Sequence, residues 1–294
     1  MTSQDIAVPS AALPIGRLRS TATYAKSILV DLAHRALLRR RRHRNQVAAD
    51  YEAGEWAQQK AARSWEATAT LEAYSEKNWA DRELIAEMDG RLWRVPSAAY
   101  YRFRRRKLIA ILEEFDGGAA TLVELGSGTG SNLFALATSP RWSKLVGLEL
   151  SRTGREVANK VAEHFGVTDR LEIGPIDLLD PASEGFSRLK GAVCFTHYCL
   201  EQLPDHTEMV FRNLISAGVK RAILIEPSFE LLGRSTLRDW ASRTYVLRQD
   251  YQRSILRVAR KLEAERLLET VAVRRLDFVS SHRNAPTLLV WDAA

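Results

Sequence analysis

Residues 121–137 read "TLVELGSGTGSNLFALA". A short apolar run, Thr121 to Leu125, meets three alternate glycines, Gly126, Gly128 and Gly130, and passes into a stretch with helical spacing. Alternate glycines suit neither a strand nor a helix interior. They suit a turn whose backbone N–H groups must come close to a ligand, where an open α/β sheet hands a strand over to a helix. The helix N-terminus beyond the turn favours negative charge. A phosphate loop of the GxxxxGK[ST] type needs a lysine that is missing here. The dinucleotide fingerprint GxGxxG would put its third glycine on Ser131 or on Leu133, so both frames fail. An acid followed by GxGxG remains, Glu124 to Gly130.

The sequence around this loop alternates regularly. "KLVGLEL" (144–150), "RLEIGPIDL" (170–178), "GAVCFTH" (191–197) and "RAILIEPS" (221–228) read as short apolar strands. Between them, "SRTGREVANKVAEHFG" (151–166) and "TEMVFRNLISAG" (207–218) read as helices, the first with Ser151 as N-cap and Gly166 as its stop. A helical region covers about 231–268. "TVAVRRLDFVSS" (270–281) and "APTLLVWDA" (285–293) are spaced as antiparallel neighbours. Strands alternating with helices predict a mostly parallel sheet covered on both faces.

Upstream the pattern changes. Residues 1–20, small and polar with Pro9 and Pro14, read as a disordered tail without the basic start of a leader. Residues 22–66 and 97–115 read as helix, so 21–116 is expected to be a helical extension or lid ahead of a domain spanning 117–294. The chain of 294 residues is 46% hydrophobic and 27% charged, enough for a large core. Its net charge of +7 sits mainly in residues 1–50, which hold nine Arg/Lys against three Asp. A near-neutral body argues against a face built to track nucleic acid. Residues 24–46, an apolar stripe running into the arginines at 39–44, are open to three readings: a solvated helix, a peripheral anchor at the inner membrane face, or an arm that holds nucleic acid or a partner protein. Cys194 and Cys199 form no disulfide framework, which fits a reducing cytoplasm.

With these elements in place, the segment Glu124–Gly130 resembles the class I S-adenosylmethionine-dependent methyltransferases, over about residues 120–294. The resemblance implies a Rossmann-like seven-stranded sheet whose last strand inserts antiparallel. It implies that Glu124, Gly126, Ser127, Gly128, Gly130 and Asn132 wrap the methionine part of the cofactor. Glu149, 23 residues after Gly126, would take the ribose hydroxyls beside Leu150. Asp177 would receive the adenine amino group beside Leu178, with Asp180 as second choice. Thr196 would line the cofactor end of the fourth strand.

The resemblance places the acceptor beside "VCFTHYCLEQLPDHTE" (193–208). The [DNS]PP[YF] run of base N-methylating members is absent. A hydroxyl acceptor needs a general base, and His197 is the candidate. Glu201, one helical turn on, would orient its ring. Tyr198, Glu226, His282, Tyr101 and Arg102 are candidate acceptor contacts, from a set that also includes Asn284, Trp79, Arg82, Trp93 and Tyr100. The expected reaction is O-methylation of a small molecule or saccharide, yielding S-adenosylhomocysteine, with no metal. N-methylation, an RNA-modifying role, a non-catalytic adaptor and a homodimer stay open.

Overall fold

The computed structural model describes residues 3–37, 49, 51–78, 80 and 82–294. In chain order these form β1 (Leu13–Pro14), α1 (Arg17–Leu37), a π-helical turn (Tyr51–Glu55), α2 (Trp56–Ala62) and α3 (Leu71–Ser75). A hairpin, β2 (Glu83–Met88) and β3 (Arg91–Pro96), leads into α4 (Ser97–Phe115). Then come β4 (Thr121–Leu125), α5 (Ser131–Ala137), β5 (Lys144–Glu149), α6 (Arg152–His164), β6 (Leu171–Pro175), β7 (Val193–His197), α7 (Thr207–Ser216) and β8 (Arg221–Glu226). The chain closes with α8 (Leu237–Gln249), α9 (Ile255–Ala264), β9 (Leu268–Arg275), β10 (Phe278–Val279) and β11 (Thr287–Ala293).

The larger sheet has the order β6-β5-β4-β7-β8-β11-β9. β4 pairs parallel with β5 on one side and β7 on the other, and β11 runs antiparallel between β8 and β9. The strand order therefore reverses beside β4, and a crevice opens at the carboxyl ends of the strands there. Alternate residues of one strand enter different cores. Leu122, Leu288 and Val290 pack in one cluster, while Val123, Leu125, Leu289 and Trp291 pack in the other. Two apolar faces require helices on both, which is why these strands read as unbroken hydrophobic runs. Ser151 caps α6 as expected, accepting the Gly154 N–H at 3.0 Å.

The N-terminal part departs from the all-helical expectation. The tail expected over 1–20 is packed from Ser3 onward: Ile6 is buried and β1 pairs with β3. The segment 83–96 is a hairpin turned by Asp89-Gly90, both with positive φ, a two-residue combination that favours tight antiparallel turns. β1, β3, β2 and β10 make a second sheet of four strands. The strand expected over 270–281 is accordingly divided, its last residues leaving the large sheet to pair with β2. The helical region 231–268 is two helices, because Asp250 ends α8 in a left-handed conformation. α1 packs on α8 through Asp31, which is fully buried and accepts Arg248 and Arg283, each at 2.7 Å. Arg39 to Arg44 and Trp79 lie outside the described residues. Among the described residues, no helix is long and apolar enough to cross a membrane.

Candidate active site

The glycine loop is held by backbone contact with β5. The Gly126 and Ser127 N–H groups donate to the Leu148 carbonyl at 2.8 and 3.2 Å. Gly126 and Gly128 have φ of +73° and +55°, where any Cβ is strained. A Cβ on Gly126 would also lie 2.2 Å from Cys199 Sγ, and one on Gly128 2.9 Å from Trp56 Cζ2. The loop is thus sandwiched between the 199 loop and the N-terminal segment.

A cavity of about 450 Å³ opens here. Gly126, Ser127, Gly128, Asn132, Glu149, Leu150, Asp177 and Leu178 line it on the β4–β6 side, and His197, Tyr198 and Glu201 on the β7 side. The Glu149 carboxylate accepts the Gly128 N–H at 2.8 Å and the Ser151 N–H at 2.7 Å. One lone pair on each oxygen is already taken, which leaves two for a ligand. Burial pushes the Glu149 carboxyl up. Asp177 Oδ1 accepts the Leu179 N–H at 3.0 Å, so one of its oxygens is engaged in a local turn. Asp180 is not part of this wall and caps its own turn at Ala182.

The segment 51–62 closes the cavity from outside. Glu52 accepts hydrogen bonds from Ser151 Oγ at 2.5 Å and from Thr153 N–H and Oγ1 at 3.0 and 2.8 Å. Thr129 Oγ1 donates to Gln59 at 2.8 Å, and Trp56 stands over Gly128. None of these contacts was legible upstream of the glycine loop, because each spans 70 to 101 residues of chain.

Glu124, Gly130 and Thr196 lie behind the wall rather than on it. Glu124 is buried and accepts Asn132 Nδ2 at 2.5 Å, while its Oε2 has no hydrogen-bond partner among the described residues. Burial raises its carboxyl to about 8. The free carbonyl of Asn132 then accepts Arg104 Nη2. Arg104 Nη2 stands 3.5 Å from both nitrogens of the His197 ring. A relay of side chains therefore runs from the acid of the loop motif, through Asn132 and Arg104, to the histidine.

Three acceptor-side expectations are corrected. Glu201 does not orient His197: its carboxylate accepts Asn284 Nδ2 and Gln202 Nε2, each at 2.9 Å. Glu226 is not on the wall of this cavity: it is fully buried and accepts the N–H groups of Cys199 and Glu201 at 2.9 and 3.3 Å, holding the 199–203 turn. Burial raises the Glu226 carboxyl to about 7. Arg102 points away and pairs with Glu76 at 2.9 Å. Tyr101 and His282 instead line a second cavity, of about 470 Å³, with Tyr198 between the two. Tyr198 has φ +58° and donates its hydroxyl to the Asn284 carbonyl at 2.9 Å. A strained tyrosine at a strand end facing a cavity is a feature of functional sites. Arg104 and Lys77 were missed by sequence reading. The one available signal was helical spacing, since Tyr100, Tyr101 and Arg104 share a face of α4 while Arg102 does not.

No protein-family model matches the chain, and no curated protein matches it. Solved structures of similar fold include geranyl diphosphate methyltransferase in complex with SAM, at 16% identity over 67% of this chain and 88% of that one, TM-score 0.49. Magnesium protoporphyrin IX methyltransferase from Synechocystis PCC 6803 is 13% identical over 67% and 81%, TM-score 0.45. The [4+2]-cyclase SpnF is 12% identical over 66% and 82%, TM-score 0.48. Identities this low fix no activity. The strand order, with one antiparallel strand inserted at position six and the glycine loop after the central strand, is decisive for architecture. The chain has the class I methyltransferase fold.

Proposed function

We propose that the protein transfers a methyl group from S-adenosylmethionine to an oxygen of a small molecule, releasing S-adenosylhomocysteine. The observation that carries this reading is the single cavity in which Gly126, Gly128, Glu149 and Asp177 meet His197 and Tyr198. Residues 23 and 51 positions after Gly126 converge on its loop. The residues fit the cofactor by their chemistry. Glu149 keeps an acceptor lone pair on each oxygen for a pair of vicinal hydroxyls. Asp177 supplies an acceptor beside the apolar Leu150, Ile176 and Leu178, a combination suited to a purine with an exocyclic amine. When bound, the cofactor supplies an electrophilic methyl group on a sulfonium.

The chain's own work is to place and activate the acceptor. Burial, followed by the nearby Arg104 cation, holds His197 well below the usual imidazole range. The ring is therefore neutral at physiological pH. It is also a weak base. The Arg104 charge offsets that weakness, because it stabilises an acceptor oxyanion as the hydroxyl loses its proton. Alignment of the partners then supplies most of the rate.

Titration calorimetry tests this reading. Heat is expected from S-adenosylhomocysteine and none from NAD or ATP. Heat from either nucleotide, with silence from the S-adenosyl compound, would overturn it.

A further inference from the structure

The second cavity is joined to the first along a wall formed by Lys77, Arg104, Ser131, His197 and Tyr198. Beyond that wall it is aromatic, with Tyr100, Tyr101, Tyr245 and Phe278. Its charge is unbalanced. Arg283, also on its lining, is neutralised by Asp31 at 2.7 Å. Lys77 and Arg104 are not neutralised: among the described residues, no carboxylate forms an ion pair with either. Lys77 sits 4.5 Å from the Tyr101 ring centroid. The partners of Arg104 are a neutral amide, Asn132, and the ring of His197. Glu201, on the wall of the first cavity, is engaged by Asn284 and Gln202.

Three other cations of α4 are treated differently. Arg102 and Arg105 both pair with Glu76, and Lys107 faces Asp89 and Asp277. Two cations that line one cavity and lack an ion-pair partner among the described residues leave a place for a ligand to supply the counter-charge. The titrating neighbours report the same positive field. Burial alone would push the Tyr101 phenol up, yet Lys77 and Arg104 pull it below its ordinary value.

We propose that the second cavity is the acceptor subsite and that the acceptor is an anion, a ring-bearing molecule whose carboxylate or phosphate seats between Lys77 and Arg104. Arginine offers a planar fork to either oxyanion, and lysine a point charge. Tyrosine faces hold a ring at low entropic cost. The inference rests on the methyltransferase reading only for the word acceptor; the anion site stands on the two cations.

Calorimetry on the full chain tests it, using 4-hydroxybenzoate and phenyl phosphate as anionic probes and 4-hydroxybenzamide as the neutral control. Titrations are run with and without saturating S-adenosylhomocysteine. Charge-assisted hydrogen bonding predicts that at least one anion binds about tenfold or more tightly than the amide. That preference should weaken with salt and vanish in both Lys77→Met and Arg104→Gln. The ratio between carboxylate and phosphate names the headgroup. Equal binding of charged and neutral probes, no binding of any probe at millimolar concentration, or a preference that survives both variants would overturn the proposal. An anion preference that persists while S-adenosylhomocysteine gives no heat would sustain the subsite and sink the cofactor reading instead. The wild-type comparison needs no variant to fold.

Discussion

Replacing Glu149 with glutamine tests the centre of the site with one atom. The carboxylate accepts two backbone N–H groups, from Gly128 at 2.8 Å and Ser151 at 2.7 Å. A glutamine has one accepting oxygen, so in either flip its NH₂ faces one of those two donors. A hydrogen bond to a charged group contributes about 1.5–3 kcal/mol, so Glu149→Gln should lower folding stability by roughly that amount. The same substitution removes acceptor capacity toward the vicinal hydroxyls of the ligand. Losing one such bond weakens S-adenosylhomocysteine by about tenfold to a hundredfold. Urea denaturation reads the first effect and calorimetry the second. Because the two effects share an origin, Glu149→Asp should fall between wild type and Glu149→Gln on both axes. A glutamine variant that binds S-adenosylhomocysteine with wild-type affinity would refute the assignment of residue 149, whatever its stability.

Gly126→Ala should destabilise the fold, with about 1–2 kcal/mol from the left-handed backbone and about 1–3 kcal/mol from overlap with Cys199; wild-type stability in urea would contradict the loop geometry. Burial raises the Glu124 carboxyl to about 8, so the folded chain keeps a proton that the unfolded chain releases. That stabilisation is complete at acid pH and is lost as pH rises toward 8, a few kcal/mol in order of magnitude. Glu124→Gln should flatten this decline in a series of denaturation curves, and an unchanged slope would argue for an ionised Glu124. His197, held well below its ordinary value by burial and Arg104, should show no imidazole titration in NMR spectra between neutral pH and the onset of acid unfolding. Protonation near the usual 6.5 would remove the account of Arg104.

Residues that act close together along the chain were readable before any fold was known. The glycine loop, its flanking strand and helix, and Glu149 at the end of the next strand belong to one continuous strand–helix–strand unit. Backbone conformation there is set by glycine and by apolar period, both local properties. Asp177 follows from the same regular alternation. The N-terminal half was not readable in this way. Its hairpin is short, its Asp89-Gly90 turn lies between helical stretches, and its partner strand β10 arrives nearly two hundred residues later in the chain. The acceptor end failed for a related reason. Glu201, Glu226 and Arg102 have the right chemistry for a site, but burial and distant partners commit them to holding loops or surface pairs.

Local pattern thus specified the glycine-loop side of the cavity, since a loop between one strand and its helix needs only its own residues to take shape. The three-dimensional fold alone brought Lys77 and Arg104 onto one cavity wall with His197, where neither forms an ion pair among the described residues. Charge compensation depends on which groups meet across space, and no spacing along a chain records that.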